Sequence, residues 1–163
     1  MRLWKVIFIP ILLLATTSAH ADGVFLEGGQ GLFQSTDSQA MFLSYQKDSP
    51  PIFGFNSFYK VALGSWNGQN RNDAIIFAKG IWLNLSRKSY LCFEPGGAYI
   101  TKTTHNLGTH LQFSGRLALG MRTEKIDLSI GYRHFSNGAG IFHWTDTSNF
   151  SDNFITLQIG YLL

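Results

Sequence analysis

Cysteine is nearly absent from this chain of 163 residues, in which Cys92 is the only one. A single cysteine excludes an internal disulfide and the cysteine clusters of structural zinc sites. The histidines beyond residue 21 have no cysteine or glutamate partners at the spacing of a zinc site, so we expect no metal and no cofactor. The stability of the chain must therefore come from backbone pairing and packing.

Charge is scarce as well. Charged residues make up 14% of the chain and aromatic residues 15%, whereas globular proteins average about 25% charged residues. A chain of this composition either has a large core or faces lipid. Without its first 21 residues it keeps 11 basic residues against 10 acidic ones, and this near balance argues against nucleic acid as a partner, because nucleic-acid binding calls for a basic patch.

The first 21 residues have the three parts of a secretory signal peptide. Arg2 and Lys5 make a basic start, residues 6–14 form an apolar run, and residues 18–21 supply an Ala-x-Ala cleavage site. The apolar run is about half the ~20 residues that a membrane-spanning helix needs. We predict a signal peptide over residues 1–21 and one domain over residues 22–163, with an uncleaved interfacial anchor as the alternative.

Eight apolar-rich runs follow, separated by clusters of polar residues, glycine or proline. This punctuation is typical of strands rather than helices. The sixth run shows the period of two most clearly, with Leu111, Phe113 and Leu117 on one face and Gln112 and Ser114 on the other. The predicted strands are residues 24–33, 39–47, 53–66, 73–83, 90–100, 109–122, 125–136 and 153–163.

An even number of strands, an export signal and few charges favour an all-β fold, an eight-stranded antiparallel transmembrane β-barrel of the bacterial outer membrane. Strands of ~9–11 residues cross the bilayer, and closure leaves no unpaired edge in lipid. The alternative is a soluble lipocalin-like barrel, whose outer face would need more lysine and glutamate. If both termini are periplasmic, the long connection of residues 137–152 is extracellular.

The seventh predicted strand ends with a histidine and a serine on one face. His134 and Ser136 are two residues apart, so they point to the same side, which is the apolar, lipid-facing side. A serine becomes a nucleophile when an adjacent base takes its proton, and a third group orients that base. Asp152 is the better third group chemically, since a carboxylate stabilises an imidazolium. Asn153 is better placed, because alternation turns it outward beside His134, and our interpretation prefers it.

The strand runs on into residues 137–140, a glycine-rich segment. Backbone N–H groups near Gly140 or the Asn137 amide would supply an oxyanion hole there, although a simple strand-to-loop turn explains the same residues. Three cations, Arg71, Lys102 and Arg133, are candidates for engaging phosphate groups, and their simpler interpretation is solvated surface.

The residues Tyr132-Arg133-His134-Phe135-Ser136-Asn137, followed by Ala139-Gly140-Ile141, resemble the signature of the outer-membrane lipid A 3-O-deacylases, the PagL family. The resemblance is sharp over residues 126–163 and architectural over residues 22–125. It implies hydrolysis of the ester-linked acyl chain at the 3-position of lipid A, with Ser136 as nucleophile, His134 as general base and no metal. Lipid A, the membrane part of lipopolysaccharide, and outer-membrane lipid are then the partners.

The chain differs from the family pattern at two points. Gly138 is inserted in the signature, and Asn153 stands where the family has a glutamate. The second difference bears on activity more than on fold. The competing interpretations are a non-catalytic structural or adhesive barrel and a barrel acyltransferase. The sequence is also compatible with a homodimer.

Overall fold

In a computed structural model, the chain forms a closed antiparallel β-barrel. The structure describes residues 22–67, 71–104, 106–138 and 151–163. Each strand pairs with its neighbours in chain order, and the last strand returns to pair with the first. The described residues contain these elements: β1 (Gly23–Leu32), a 3-10 turn (Phe33–Ser35), β2 (Gln39–Ile52), β3 (Phe55–Asn67), β4 (Asn72–Asn84), β5 (Ser89–Ile100), β6 (Leu111–Arg122), β7 (Ile126–Ser136) and β8 (Ser151–Leu162).

The predicted eight-stranded barrel is confirmed. No helix within the described ranges is long and apolar enough to cross a membrane. The predicted signal peptide, residues 1–21, lies outside the described residues.

The outer surface of the barrel is apolar. Along β6, Leu111, Leu117 and Met121 point outward and are exposed, whereas Gln112 and Arg116 point into the lumen and are buried. A continuous apolar exterior is unfavourable in water but is the favourable surface against hydrocarbon. The outward face is therefore the lipid-facing one, and the soluble lipocalin-like alternative is wrong.

The turn between β2 and β3 lies further along the chain than predicted. We expected it at residues 48–51, which include two prolines, yet β2 continues to Ile52. The pairing with β3 shifts register between Ser49 and Ile52, and this irregularity accommodates prolines, which have no N–H group to donate to the ladder. The chain reverses at Phe53 and Gly54, whose φ angles of 50° and 82° are the positive values of a tight hairpin turn.

Aromatic side chains fill the lumen where β7 ends and β8 begins, which we call the site end of the barrel. Phe42, Trp66, Phe135 and Phe154 are buried together there. The ring centroids of Trp66 and Phe135 are 5.0 Å apart in a stacked arrangement. At the opposite end a second cluster contains Phe58, Trp82, Tyr90, Cys92 and Ala118.

Between the two aromatic clusters lies a buried network of charges. It consists of Glu27, Glu94, Lys60, Arg116 and Arg133. Arg133 donates from Nε and Nη2 to the two carboxylate oxygens of Glu27, at 2.9 and 2.7 Å, and Lys60 donates to Glu94 at 3.0 Å. Burial strengthens such pairs but makes each charge dependent on its partners.

β7 contributes to all three levels of the lumen. Its inward-facing residues include Phe135 in the aromatic cluster and Arg133 in the charge network. Asp127, on the same face near the start of β7, lies beside the second cluster, and its Oδ2 accepts a hydrogen bond from Arg122 Nε at 2.8 Å. The packing of these inward-facing side chains fixes the position of β7. Because successive side chains of a strand point to opposite faces, the positions of the outward-facing residues of β7 are fixed as well.

Candidate active site

The predicted site residues meet at the ends of β7 and β8. β8 begins at Ser151 rather than at the predicted residue 153, because Ser151 extends the ladder by pairing with Ser136. In this register His134 lies directly opposite Asn153. The structure therefore brings His134 and Asn153 together on the lipid-facing side, and it places Ser136 one outward position further along β7.

A hydrogen bond joins the histidine to the asparagine, with 2.8 Å between His134 Nδ1 and Asn153 Oδ1. The amide orientation follows from the other end of the side chain, where Asn153 Nδ2 lies 3.3 Å from the backbone carbonyl oxygen of Ser151. A carbonyl only accepts, so the NH₂ group must face it and Oδ1 must face His134. Because Oδ1 is also only an acceptor, His134 Nδ1 carries the hydrogen, and Nε2 of the neutral ring is left as the base.

Two more side chains contact Asn153. The Tyr132 hydroxyl donates to Asn153 Oδ1, and Asn153 Nδ2 donates to Ser151 Oγ at 2.7 Å. Neither residue was among the predicted catalytic residues. The period of two could have found them, since Tyr132 precedes His134 by two residues and Ser151 precedes Asn153 by two, on the same outward faces.

Ser136 lies on the face of His134, and its side chain is half-buried. In the described part of the chain, no hydrogen bond joins the Ser136 and His134 side chains. The hydrogen bond of a nucleophile to its base is often long or poorly aligned in a ligand-free enzyme and tightens when the substrate binds. The nitrogen left for Ser136 is Nε2, because Nδ1 is bound to Asn153.

Asp152, the alternative third residue, points into the lumen. Its carboxylate accepts from Ser35 Oγ at 2.8 Å, from Trp66 Nε1 at 3.1 Å and from Asn106 Nδ2 at 3.1 Å. These donors come from three separate parts of the chain, and the carboxylate is on the opposite side of β8 from His134. The geometry therefore places Asn153, and not Asp152, against the imidazole.

Of the two oxyanion-hole candidates, Asn137 is buried immediately after β7, and Gly140 lies outside the described residues. Asn137 also lines a groove of about 770 Å³ on the outer surface of β4, β5 and β6. The outward-facing lining includes Phe77, Gly97, Tyr99, Leu111 and Phe113. Phe113 pairs with Ser136 across β6 and β7, so the apolar groove begins one strand away from the predicted nucleophile.

One predicted phosphate-binding cation is not at the surface. Arg133 is buried in the lumen and paired with Glu27 and Glu94, because it lies one residue from His134 and so faces the opposite way. Arg71 and Lys102 are exposed, and Arg71 forms a solvent-exposed ion pair with Asp73 at 3.4 Å. A role for these two residues in binding phosphate stays a prediction.

A closed barrel with an apolar exterior is an integral outer-membrane protein, and this one carries a serine, a histidine and an amide together on its membrane-facing surface. The family model described as "Lipid A 3-O-deacylase (PagL)" matches residues 39–162. The chain belongs to this family, and the predicted location in the bacterial outer membrane is confirmed.

A solved structure supports the same fold. The protein described as "Crystal structure of the outer membrane enzyme PagL" is similar with a TM-score of 0.63 and 18% sequence identity, over 86% of this chain and 99% of that chain. At this level of identity the likeness concerns the fold. No curated protein matches the sequence significantly.

Proposed function

We propose that this chain hydrolyses the ester-linked acyl chain at the 3-position of lipid A by a serine–histidine mechanism. Ser136 is the nucleophile, His134 the general base and Asn153 the residue that orients the base. The observation that carries this proposal is the 2.8 Å hydrogen bond between His134 Nδ1 and Asn153 Oδ1. It leaves the imidazole Nε2 as a proton acceptor on the outward face that also bears Ser136.

The reaction proceeds in two halves. Ser136 Oγ attacks the ester carbonyl carbon while His134 Nε2 takes the hydroxyl proton, and His134 then returns that proton to the departing sugar oxygen. In the second half, His134 takes a proton from water as the water oxygen attacks the acyl-enzyme, and the fatty acid is released as Ser136 regains its proton. Asn153 stabilises the imidazolium through the dipole of its amide oxygen, which carries less charge than a carboxylate.

The site lies on the membrane face, so the substrate reaches it within the outer leaflet. The apolar groove on β4, β5 and β6 is suited to an acyl chain, because it faces lipid and its lining includes Phe113, which pairs with Ser136. Asn137 and the backbone N–H groups of residues 137–140, including that of Gly140, are the groups that we propose for the oxyanion.

Mass spectrometry of lipid A tests this proposal in a host that lacks deacylase activity. Wild-type protein is expected to remove one 3-hydroxyacyl chain, and Ser136→Ala is expected to abolish the removal. Ser65→Ala is a matched control, because Ser65 also faces outward, on β3, but lies away from the site. Both variants should keep the heat-modifiable migration of a folded barrel.

Three results would contradict the proposal. Deacylation by Ser136→Ala would exclude Ser136 as the nucleophile. Gain of an acyl chain on lipid A would indicate an acyltransferase, and unchanged lipid A with folded wild-type protein would indicate a non-catalytic barrel.

A further inference from the structure

Asn153 is bonded at both ends of its amide. On one side Oδ1 accepts from His134 Nδ1 at 2.8 Å and from the Tyr132 hydroxyl. On the other side Nδ2 donates to Ser151 Oγ at 2.7 Å. The residue itself is only 3% exposed, although it lies on the lipid-facing side of the barrel, because these neighbours cover it.

We infer that Tyr132 and Ser151 are positioning residues that hold the Asn153 amide in the orientation that His134 needs for catalysis. This inference rests on the proposed function, since His134 is the base only if the chain is a serine–histidine hydrolase. Neither residue is assigned a contact with the substrate. Both act through Asn153.

The need for such positioning follows from the chemistry of an amide. A carboxylate presents an acceptor oxygen whichever way it turns, but an asparagine presents either an oxygen or an NH₂ group. If the NH₂ group faced His134 Nδ1, the ring would carry its hydrogen on Nε2 and could not accept the serine proton. In serine proteases, replacing the triad aspartate with asparagine selects this wrong tautomer and lowers kcat by about 10⁴-fold.

The contacts of Asn153 oppose that reversal. Turning the amide over would bring Oδ1 towards the Ser151 carbonyl oxygen, which lies 3.3 Å from Nδ2, and two acceptors would then face each other. It would also remove the acceptor from the Tyr132 hydroxyl in a largely apolar environment, where an unpaired hydroxyl is costly. The Tyr132 hydroxyl and the backbone carbonyl of Ser151 therefore oppose the reversal, and the Ser151 hydroxyl holds Nδ2 in place as a second partner. Together they allow an asparagine to orient the histidine as an acidic residue would.

The test combines kinetics with a measurement of the histidine tautomer. Tyr132→Phe, Ser151→Ala and the double variant are purified as folded barrels in micelles, kcat and KM for lipid A deacylation are measured, and the ¹⁵N chemical shifts of the His134 ring are recorded by NMR. Each single variant is expected to lower kcat by about three- to tenfold with KM unchanged, as expected for the loss of one hydrogen bond. The double variant should lower kcat further and shift His134 from the Nδ1–H form to a mixture of tautomers.

Two controls separate positioning from general effects on the barrel. Tyr161→Phe makes the same change on the same lipid-facing surface, at the other end of β8, and should alter neither kcat nor tautomer. Ser151→Thr keeps the hydroxyl group and should restore kcat to near the wild-type value.

The inference is overturned if the double variant keeps the wild-type kcat and the Nδ1–H tautomer, or if KM rises while kcat is constant. A wild-type protein that deacylates nothing, but whose tautomer depends on Tyr132 and Ser151, would disprove the proposed function and support the positioning role.

Discussion

Asp152 and Asn153 are adjacent in the sequence and have opposite surroundings. Asp152 faces the lumen and accepts hydrogen bonds from Ser35, Trp66 and Asn106, which joins β8 to three other parts of the site end. Asn153 faces lipid and contacts His134. Because successive residues of a strand point to opposite faces, the stabilising carboxylate of Asp152 and the amide of Asn153 lie on opposite sides of β8 although they are adjacent in the sequence.

Substitutions at these two positions should have different effects. Asn153→Ala is expected to lower the kcat of deacylation with little change in stability, because His134 loses its orienting partner. Asp152→Ala leaves three donors without their acceptor, of which those of Ser35 and Trp66 are buried. It should lower the free energy of unfolding by about 1–3 kcal/mol, while the folded fraction keeps most of its activity. Steady-state kinetics and urea unfolding in lipid vesicles measure the two effects.

The opposite pattern would restore Asp152 as the third catalytic residue. In that case folded Asp152→Ala protein would be inactive, and Asn153→Ala protein would remain active.

At the scale of strands, β4, β5 and β6 form the groove that adjoins the site. Its floor is open at Gly97, where an added Cβ atom would meet only the backbone oxygen of Gln112, at 3.9 Å. Gly97 pairs with Phe113, and Phe113 pairs with Ser136. Two strand spacings, about 10 Å, therefore separate Gly97 from the predicted nucleophile.

Filling this groove should slow the enzyme without unfolding it. Gly97→Phe is expected to raise KM or lower kcat/KM for lipid A by about tenfold or more, because the ring occupies the space that we assign to an acyl chain. Gly28→Phe is a matched control, since Gly28 on β1 likewise has room for a side chain, with no heavy atom within 4 Å of an added Cβ. Equal activity of the two variants would show that the acyl chain lies elsewhere.

At the scale of the whole barrel, the luminal charges act as one unit. Glu27 contacts both Arg133 and Arg116, and Glu94 contacts these two residues and Lys60. Three cations therefore share two carboxylates, and each side chain is almost completely buried. The network connects β1, β3, β5, β6 and β7 across the lumen.

The effects of removing two members of this network should not be additive. Arg133→Met removes two hydrogen bonds from Glu27 and one from Glu94. It is expected to lower the free energy of unfolding by about 3–5 kcal/mol, because the two buried carboxylates lose the partner that they share. Arg133→Met combined with Glu27→Met removes the bidentate pair and should be less destabilising than the sum of the two single changes. Guanidinium unfolding in detergent micelles measures all three variants, and an additive result would exclude coupling between the two residues.

Local sequence patterns predicted the architecture because a strand that faces lipid on one side must alternate. Leu111 to Met121 in β6 follow that rule throughout, and the number of such runs indicated the closed barrel. The turn was predicted wrongly at residues 48–51. The prolines there suggested a turn, but β2 continues through them, with an irregular pairing to β3.

The candidate site was predictable only where it is local. His134 and Ser136 are two residues apart, so the period of two relates them directly. The contact of Asn153 with Tyr132 depends on the register between β7 and β8, and the long connection between these strands leaves that register undetermined in the sequence. The partners of Asp152 are even less accessible to sequence analysis, because Ser35 is 117 residues away.

Asn153 also lies at the seam where the barrel closes. It pairs with His134 of β7 on one side and with Leu32 of β1 on the other, so the strand that completes the cylinder also completes the site. His134 and Asn153 meet only when β7 and β8 are paired in this register. We therefore expect the unfolded chain to carry Ser136 and His134 without the partner that orients the base, and to show no esterase activity until β8 is in place.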